Sequence, residues 1–358
     1  MTSPVRVAVD AMGGDRGSDE IVAGALEAAS GAIQPILYGP SGLDTKGLDT
    51  QGLELVEASE VIAMHEKPVE AVRAKPDSSL VAACRSVGEG EAEAVVSAGN
   101  TGAMLAACLF NMRRLKDVDR PAIAVVIPAR DGPSVLVDAG ANADARPEHL
   151  YQFAQMGAIF AEEMLEITNP EVRLLSIGEE PEKGNQLTLE AHALLVASDL
   201  RFGGNVESRH LLRHAGDVVV CDGFTGNICL KLLEGTITTI MESMREEITA
   251  SKRGKIGGLL IRPAARQLRD RLDPDTYGGA YLLGLRGLAV IAHGNSSSRA
   301  IANAIGLAAR GAEHRLVDRL AERLRGGVET STDRLDQSIP TGAKAKPARP
   351  RSGAESAP

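Results

Sequence analysis

The sequence predicts an α/β/α sandwich, a parallel sheet covered on both faces by helices. Three observations predict it. Four segments share one order: a short apolar strand, a loop rich in Gly, Asn, Ser or Thr, then a helix. Strands that alternate with helices in this way build βαβ units. The chain is long enough, at 358 residues and 44% hydrophobic, to bury a full core. With only 3% aromatics and no Trp, that core is aliphatic and Ala-rich.

The first unit is Val5–Asp10, the loop Ala11–Ser18 and a helix from Asp19. The second is Ala94–Ser97, the loop Ala98–Gly102 and a helix over Ala103–Arg113. The third is Asp217–Cys221, the loop Asp222–Gly226 and a helix from Asn227. The fourth is Leu288–Ala292, the loop His293–Ser298 and a helix from Arg299. Further strands are expected at Ile123–Pro128, Val135–Asp138 and Val172–Ile177. Ligands of such sheets bind beyond the carboxyl ends of the strands, where these loops sit. Residues 1–326 read as one domain, with a protruding amphipathic helical segment over about 245–275. The Pro/Ser/Ala-rich tail, 327–358, has almost no large apolar residues and is expected to be disordered.

Composition excludes several classes. A net charge of -9 makes a poor general nucleic-acid binder, and so few aromatics make no base-stacking platform. Cys84, Cys108, Cys221 and Cys229 form no CxxC pair and read as buried thiols in a reducing compartment. The N-terminus runs straight into a strand pattern and reads as no signal peptide. No apolar run reaches 18 residues, so no membrane span is expected.

The loops point to an anion. A helix N-terminus offers unpaired N–H groups and partial positive charge, and Gly lets an anion approach. Gly13, Gly14 and Asp15, then Gly99, Asn100, Thr101 and Gly102, then Asn295 and Ser296, are candidate phosphate or substrate contacts on this ground. Each loop also reads as a turn with a helix cap. There is no GxxxxGK[ST] and no strict GxGxxG with its distal acid, so the anion is small: free phosphate, or part of a substrate. Arg73, Ser78 and Ser79 could form a phosphate clamp, or simply a surface helix ending at Pro76 and a Ser cap. Asn142 and Asn185 complete the candidate set. Lys183, in a loop of acids and Gly, is either a solvated turn or a charge for phosphate or an oxyanion. Asn227 is either a helix cap or an amide that donates to a carbonyl.

No GxSxG elbow, sequence-adjacent Cys–His pair or metal-ligand spacing appears, and no metal or cofactor is expected. Asp10, Asp15, Asp138 and Asp144 could meet Mg²⁺ but read better as turn formers. Residues 251–272 are basic and amphipathic, with Arg253, Arg262, Leu259, Leu260 and Leu268 as candidate contacts. Pro263 is expected to restart a helix at its first turn. This segment is a docked surface helix, an interfacial helix on anionic lipid, or a dock for an acidic protein.

The blocks VDAMGGD (9–15), EKPVEAVRAKPDSSL (66–80), SAGNTGA (97–103), RPAIA (120–124), VDAGAN (137–142), IGEEPEKGN (177–185), CDGFTGN (221–227), YGGAYLLGL (277–285) and AHGNSSSRAI (292–301) occur in this order. Together they resemble the bacterial phosphate acyltransferases of phospholipid synthesis, over about Val5 to Leu324. The resemblance implies a Rossmann-like fold akin to isocitrate/isopropylmalate dehydrogenases and phosphotransacetylases. It implies acyl carrier protein as acyl donor and inorganic phosphate as acceptor. It implies a cytoplasmic, peripherally membrane-associated homodimer that feeds a membrane glycerol-3-phosphate acyltransferase. It links Lys183 and Asn227 to the active site and the 251–272 helices to membrane contact. A dehydrogenase of related fold and a non-catalytic carrier-binding module are the competing classes, and neither nicotinamide fingerprint nor broken motif supports them.

Overall fold

The computed structural model describes residues 3–43, 47–48, 50, 52–272 and 278–324. The tail expected to be disordered, 327–358, lies outside the described residues, as does Tyr277.

Among the described residues, eleven strands form one sheet. From one edge to the other they are β3 (Glu54–Glu57), β2 (Ile33–Gly39), β1 (Val5–Asp10), β4 (Ala94–Ser97), β11 (Leu288–Ile291), β10 (Ala280–Leu283), β5 (Ala122–Ile127), β6 (Ser134–Val137), β9 (Val218–Val220), β7 (Val172–Ser176) and β8 (Phe202–Glu207). The expectation of a parallel sheet needs correction. The sheet is mixed, because β10 runs antiparallel to both β11 and β5, and β5 runs antiparallel to β6. On either side of this centre the strands are parallel: β3 to β11 in one half, β6 to β8 in the other. The two halves therefore run in opposite directions, joined by β10 and β5.

Alternating strand residues feed two cores, as the pleat requires. Val7, Val9 and Val96 pack on one face, with α1 (Ser18–Ala28), α5 (Pro147–Leu165), α6 (Gln186–Val196) and α9 (Ser298–Glu313). Ala8 and Val95 pack on the other, with α2 (Pro68–Ala74), α3 (Ser79–Glu89) and α4 (Thr101–Asn111). The architecture is the Rossmann-like α/β/α sandwich the sequence predicts. Cys84, Cys108 and Cys221 are buried free thiols and Cys229 is partly buried.

Four strands escape the sequence reading: β2, β3, β8 and β10. Each lacks the strand–loop–helix grammar. β2 carries Pro35, tolerated because pairing with β3 begins one residue later, at Ile36. β8 is an edge strand interrupted by Gly203 and Gly204.

The longest helix, α7 (Gly223–Thr249), is followed directly by α8 (Lys252–Leu272), which packs against it. Pro263 does not restart a helix as expected but lies inside α8. A Pro removes one N–H bond, and on so exposed a helix water can serve the carbonyl left over. Leu259 and Leu260 are 67% and 79% exposed, so these two leucines face away from the contact with α7, while Leu268 is half-buried.

Candidate active site

Each half of the sheet presents loops at its own carboxyl edge. In the first half, three loops interlock. Gly13 packs so tightly on the second loop that a Cβ would sit 2.8 Å from the Gly99 nitrogen. Gly14 has φ +105, a left-handed conformation that favours glycine. The Asp15 N–H donates to the Gly294 carbonyl at 2.6 Å, and Arg16 donates to the Asn295 side chain at 2.8 Å.

Asp10 holds this assembly from below. Its buried carboxylate accepts from the Ser79 hydroxyl at 2.6 Å, the Ser97 hydroxyl at 2.7 Å and the Met12 N–H at 3.2 Å. Burial raises its pKa, against the lowering effect of the serine hydrogen bonds. Ser79 thus supports the loop from α3. Ser78 is buried, and its hydroxyl has no partner among the described residues. Arg73 lies over the Phe110 ring at 5.4 Å, so in this structure its guanidinium does not join the two serines as a clamp.

Asn100 caps α4. Its side-chain oxygen accepts from the Ala103 N–H, and its amide donates to the Met64 and Glu66 carbonyls. α4 therefore begins at Thr101, two residues before the expected start. Gly102 lies against Pro68, where a Cβ would come within 2.6 Å of the ring.

In the second half, Asp138 plays the matching part. Its side chain accepts from the N–H groups of Ile123, Gly140, Ala141 and Asn142 and from the Asn142 amide. Burial raises its pKa too, against those hydrogen bonds. Asn142 also donates to the Pro121 carbonyl at 2.7 Å, so its amide is consumed by loop structure. Asn185 caps α6 by accepting from the Thr188 N–H.

α7 begins at Gly223, four residues earlier than expected, because Asp222 caps it by accepting from the Thr225 N–H at 2.9 Å. Asn227 is therefore not a cap. It is half-buried within the first turns of α7, against Gly140, and its amide has no hydrogen-bond partner among the described residues. Lys183 is exposed in the loop between β7 and α6, on the same sheet edge.

A cavity of about 440 Å³ joins the two systems along the face of β5. Gly99, Thr101, His293, Gly294, Ser296 and Asp15 line it from the first half. Gly140 and Asn227 line it from the second, and Ile123, Val125, Ile127, Leu230, Leu233 and Ile237 supply aliphatic walls. Lys183, Arg73, Ser78, Ser79, Asn142 and Asn185 are not in the lining, and neither are Gly13, Gly14, Asn100, Gly102 and Asn295. Lys231 is in it, and sequence reasoning missed it. Its spacing of four residues from Asn227 was the available signal, since i and i+4 share a helix face.

No cysteine lines the cavity. The contact with Cys108, then burial, pushes the Cys84 thiol well up, and burial does the same for Cys221, so neither is a ready thiolate. Ser296 donates its backbone N–H to the His293 carbonyl at 2.9 Å, but among the described residues no side-chain hydrogen bond links the Ser296 or Thr101 hydroxyl to the His293 ring. No group of three or more His, Cys, Asp or Glu among the described residues could hold a metal ion. No helix among them is long and apolar enough to cross a membrane.

The chain matches the family model described as "Fatty acid synthesis protein" over residues 5–319. It is 45% identical over 332 residues to a phosphate acyltransferase of Heliobacterium modesticaldum, covering 91% of this chain and 99% of that one. It is 41% identical over 336 residues to a phosphate acyltransferase of Trichodesmium erythraeum, covering 92% and 99%. In three dimensions it is similar to a phosphotransacetylase from Streptococcus pyogenes, with a TM-score of 0.57 at 16% identity over 87% of this chain and 95% of that one. A branched-chain phosphotransacylase from Enterococcus faecalis V583 gives a TM-score of 0.54 at 17% identity, over 87% and 99%. At such identities the structural likeness speaks for the fold alone.

Proposed function

The chain belongs to the phosphate acyltransferase family, and from that premise we propose that it moves a fatty acyl group from acyl carrier protein to inorganic phosphate. The observation that carries this reading is the cavity itself. It sets Gly-rich helix N-termini, suited to a phosphate, against an aliphatic wall suited to an acyl chain, with the unpartnered Asn227 amide between α7 and Gly140.

The chemistry is direct displacement. A phosphate oxygen attacks the thioester carbonyl carbon and a C–O bond forms. The tetrahedral oxyanion collapses, the C–S bond breaks, and the electron pair leaves on sulfur. Phosphate is partly a dianion near neutral pH, and an alkyl thiolate with a pKa near ~8.5 leaves with little need of protonation. Positioning and charge stabilisation are then the tasks left to the protein. Asn227 orients the carbonyl, and Lys183, on the neighbouring loop of the same edge, supplies charge to the oxyanion. The absence of any cysteine from the cavity supports attack without an acyl-enzyme.

The basic helix α8 docks the enzyme on an anionic membrane surface through Leu259, Leu260 and Leu268, with Arg253 and Arg262 beside them. The exposure of Leu259 and Leu260 supports this. The reading extends to a cytoplasmic, peripherally bound homodimer that passes acyl phosphate to a membrane glycerol-3-phosphate acyltransferase.

The test is transacylation by variants that keep the wild-type melting temperature. Asn227→Ala and Lys183→Ala are each expected to lower kcat about 10- to 1000-fold. Unchanged turnover removes the role assigned to that residue, and an acyl group trapped on a side chain during turnover excludes direct attack. For α8, Leu260→Glu with Leu268→Glu is expected to abolish liposome flotation and spare transacylation in solution. A raised KM for the carrier protein instead assigns the helix to the donor.

A further inference from the structure

The cavity's charge does not fit its proposed occupant unless one more residue takes part. The lining includes the acidic residue Asp15. A phosphate dianion entering a partly desolvated space beside a carboxylate is repelled, and the repulsion grows as water is excluded. Helix N-termini offset part of this with fractional charge. A full positive charge is needed, and among the described residues the lining contains one Lys and no Arg: Lys231.

Its position suits the task. Lys231 follows Asn227 by four residues on α7, one turn along the same face. It forms no ion pair with any described residue, unlike Lys75, which is tied to Glu66 at 2.7 Å. Asn227 and Lys231 line the cavity together with residues of β5. Lys183, by contrast, lies outside the lining.

We propose that Lys231 binds the acceptor phosphate in the cavity, one helical turn from the amide that orients the thioester. The assignment rests on the function proposed above but is tested separately from it. A lysine suits this place because its single mobile ammonium on a flexible stem can follow a phosphate from entry to attack.

The experiment pairs two readouts on wild type, Lys231→Met and Lys231→Arg. One is calorimetric binding of inorganic phosphate, without donor. The other is phosphate-dependent thioester release from acyl carrier protein. The position is exposed, so both variants are expected to keep the wild-type melting temperature. Lys231→Met should weaken phosphate binding and raise the phosphate KM by about 10- to 100-fold, with the KM for the carrier protein held. Lys231→Arg should recover most of the loss, since it restores the charge. An unchanged phosphate affinity and KM in a folded Lys231→Met overturns the assignment, whatever happens to kcat. If wild type binds phosphate through Lys231 yet releases no thioester, the phosphate site stands and the transacylase reading falls.

Discussion

Both halves of the sheet send a strand into the tripeptide Val-Asp-Ala, at residues 9–11 and 137–139, and bury the aspartate at its tip. They use it differently. Asp10 accepts from two serine hydroxyls, contributed by α3 and β4. Asp138 accepts only from amide N–H groups, in its own loop and on β5. A hydroxyl can turn and become an acceptor, while an amide N–H cannot. The first half therefore holds its glycine loops with an adjustable contact, and the second half holds the Asn227 end of the cavity with a fixed one.

The largest effect expected from this difference is at Gly226. A Cβ there would stand 1.9 Å from the Asp138 carbonyl oxygen. Gly226→Ala must displace the start of α7 and is expected to cost at least about 4 kcal/mol, or to prevent folding. Denaturant unfolding measures it, and a loss below about 1 kcal/mol would show that this end of the cavity is not rigid.

Next comes Asp138→Asn. Whichever way the amide turns, its NH₂ faces N–H donors. The Asn142 side chain can flip its own oxygen inward, but the backbone N–H groups cannot follow. A loss of about 3 kcal/mol is expected, at the upper end for a buried unsatisfied donor, together with a fall in kcat from a misplaced Asn227. Asp10→Asn is expected to cost only about 1 kcal/mol, because Ser79 or Ser97 can turn to accept from the new amide. Equal losses at the two positions would erase the distinction.

The smallest effect is a pH trend. Burial raises the Asp10 carboxyl above its ordinary range, so the native state keeps that proton to higher pH than the unfolded chain. The stability from this proton is complete below about pH 3.9 and is lost as pH rises through the raised native value. Asn does not titrate there. The stability gap between wild type and Asp10→Asn should therefore narrow from about pH 4 to pH 7. A gap that widens over that window contradicts the raised value.

Much of the architecture was legible because it repeats. β1, β4, β9 and β11 each end in a glycine- or polar-rich loop, and that grammar placed them within two residues of their observed limits. The mixed sheet was not legible, since β10 pairs antiparallel to two neighbours and leaves no periodic mark in a four-residue run. Residue type identified polar loops but could not separate caps from free groups. Asn100, Asn142 and Asn185 spend their side chains on helix ends and loop carbonyls, whereas Asn227 keeps its amide unpartnered. Lys231 was hidden because the start of α7 was read four residues late, which put Asn227 at the cap and obscured the face the two residues share.

The most direct measurement supplies acyl carrier protein thioester and ¹⁸O-labelled inorganic phosphate to the purified protein and analyses the product. The account predicts that thioester is lost only when phosphate is present and that acyl phosphate carries the label. Thioester loss independent of phosphate, or a product without labelled phosphate, would contradict it.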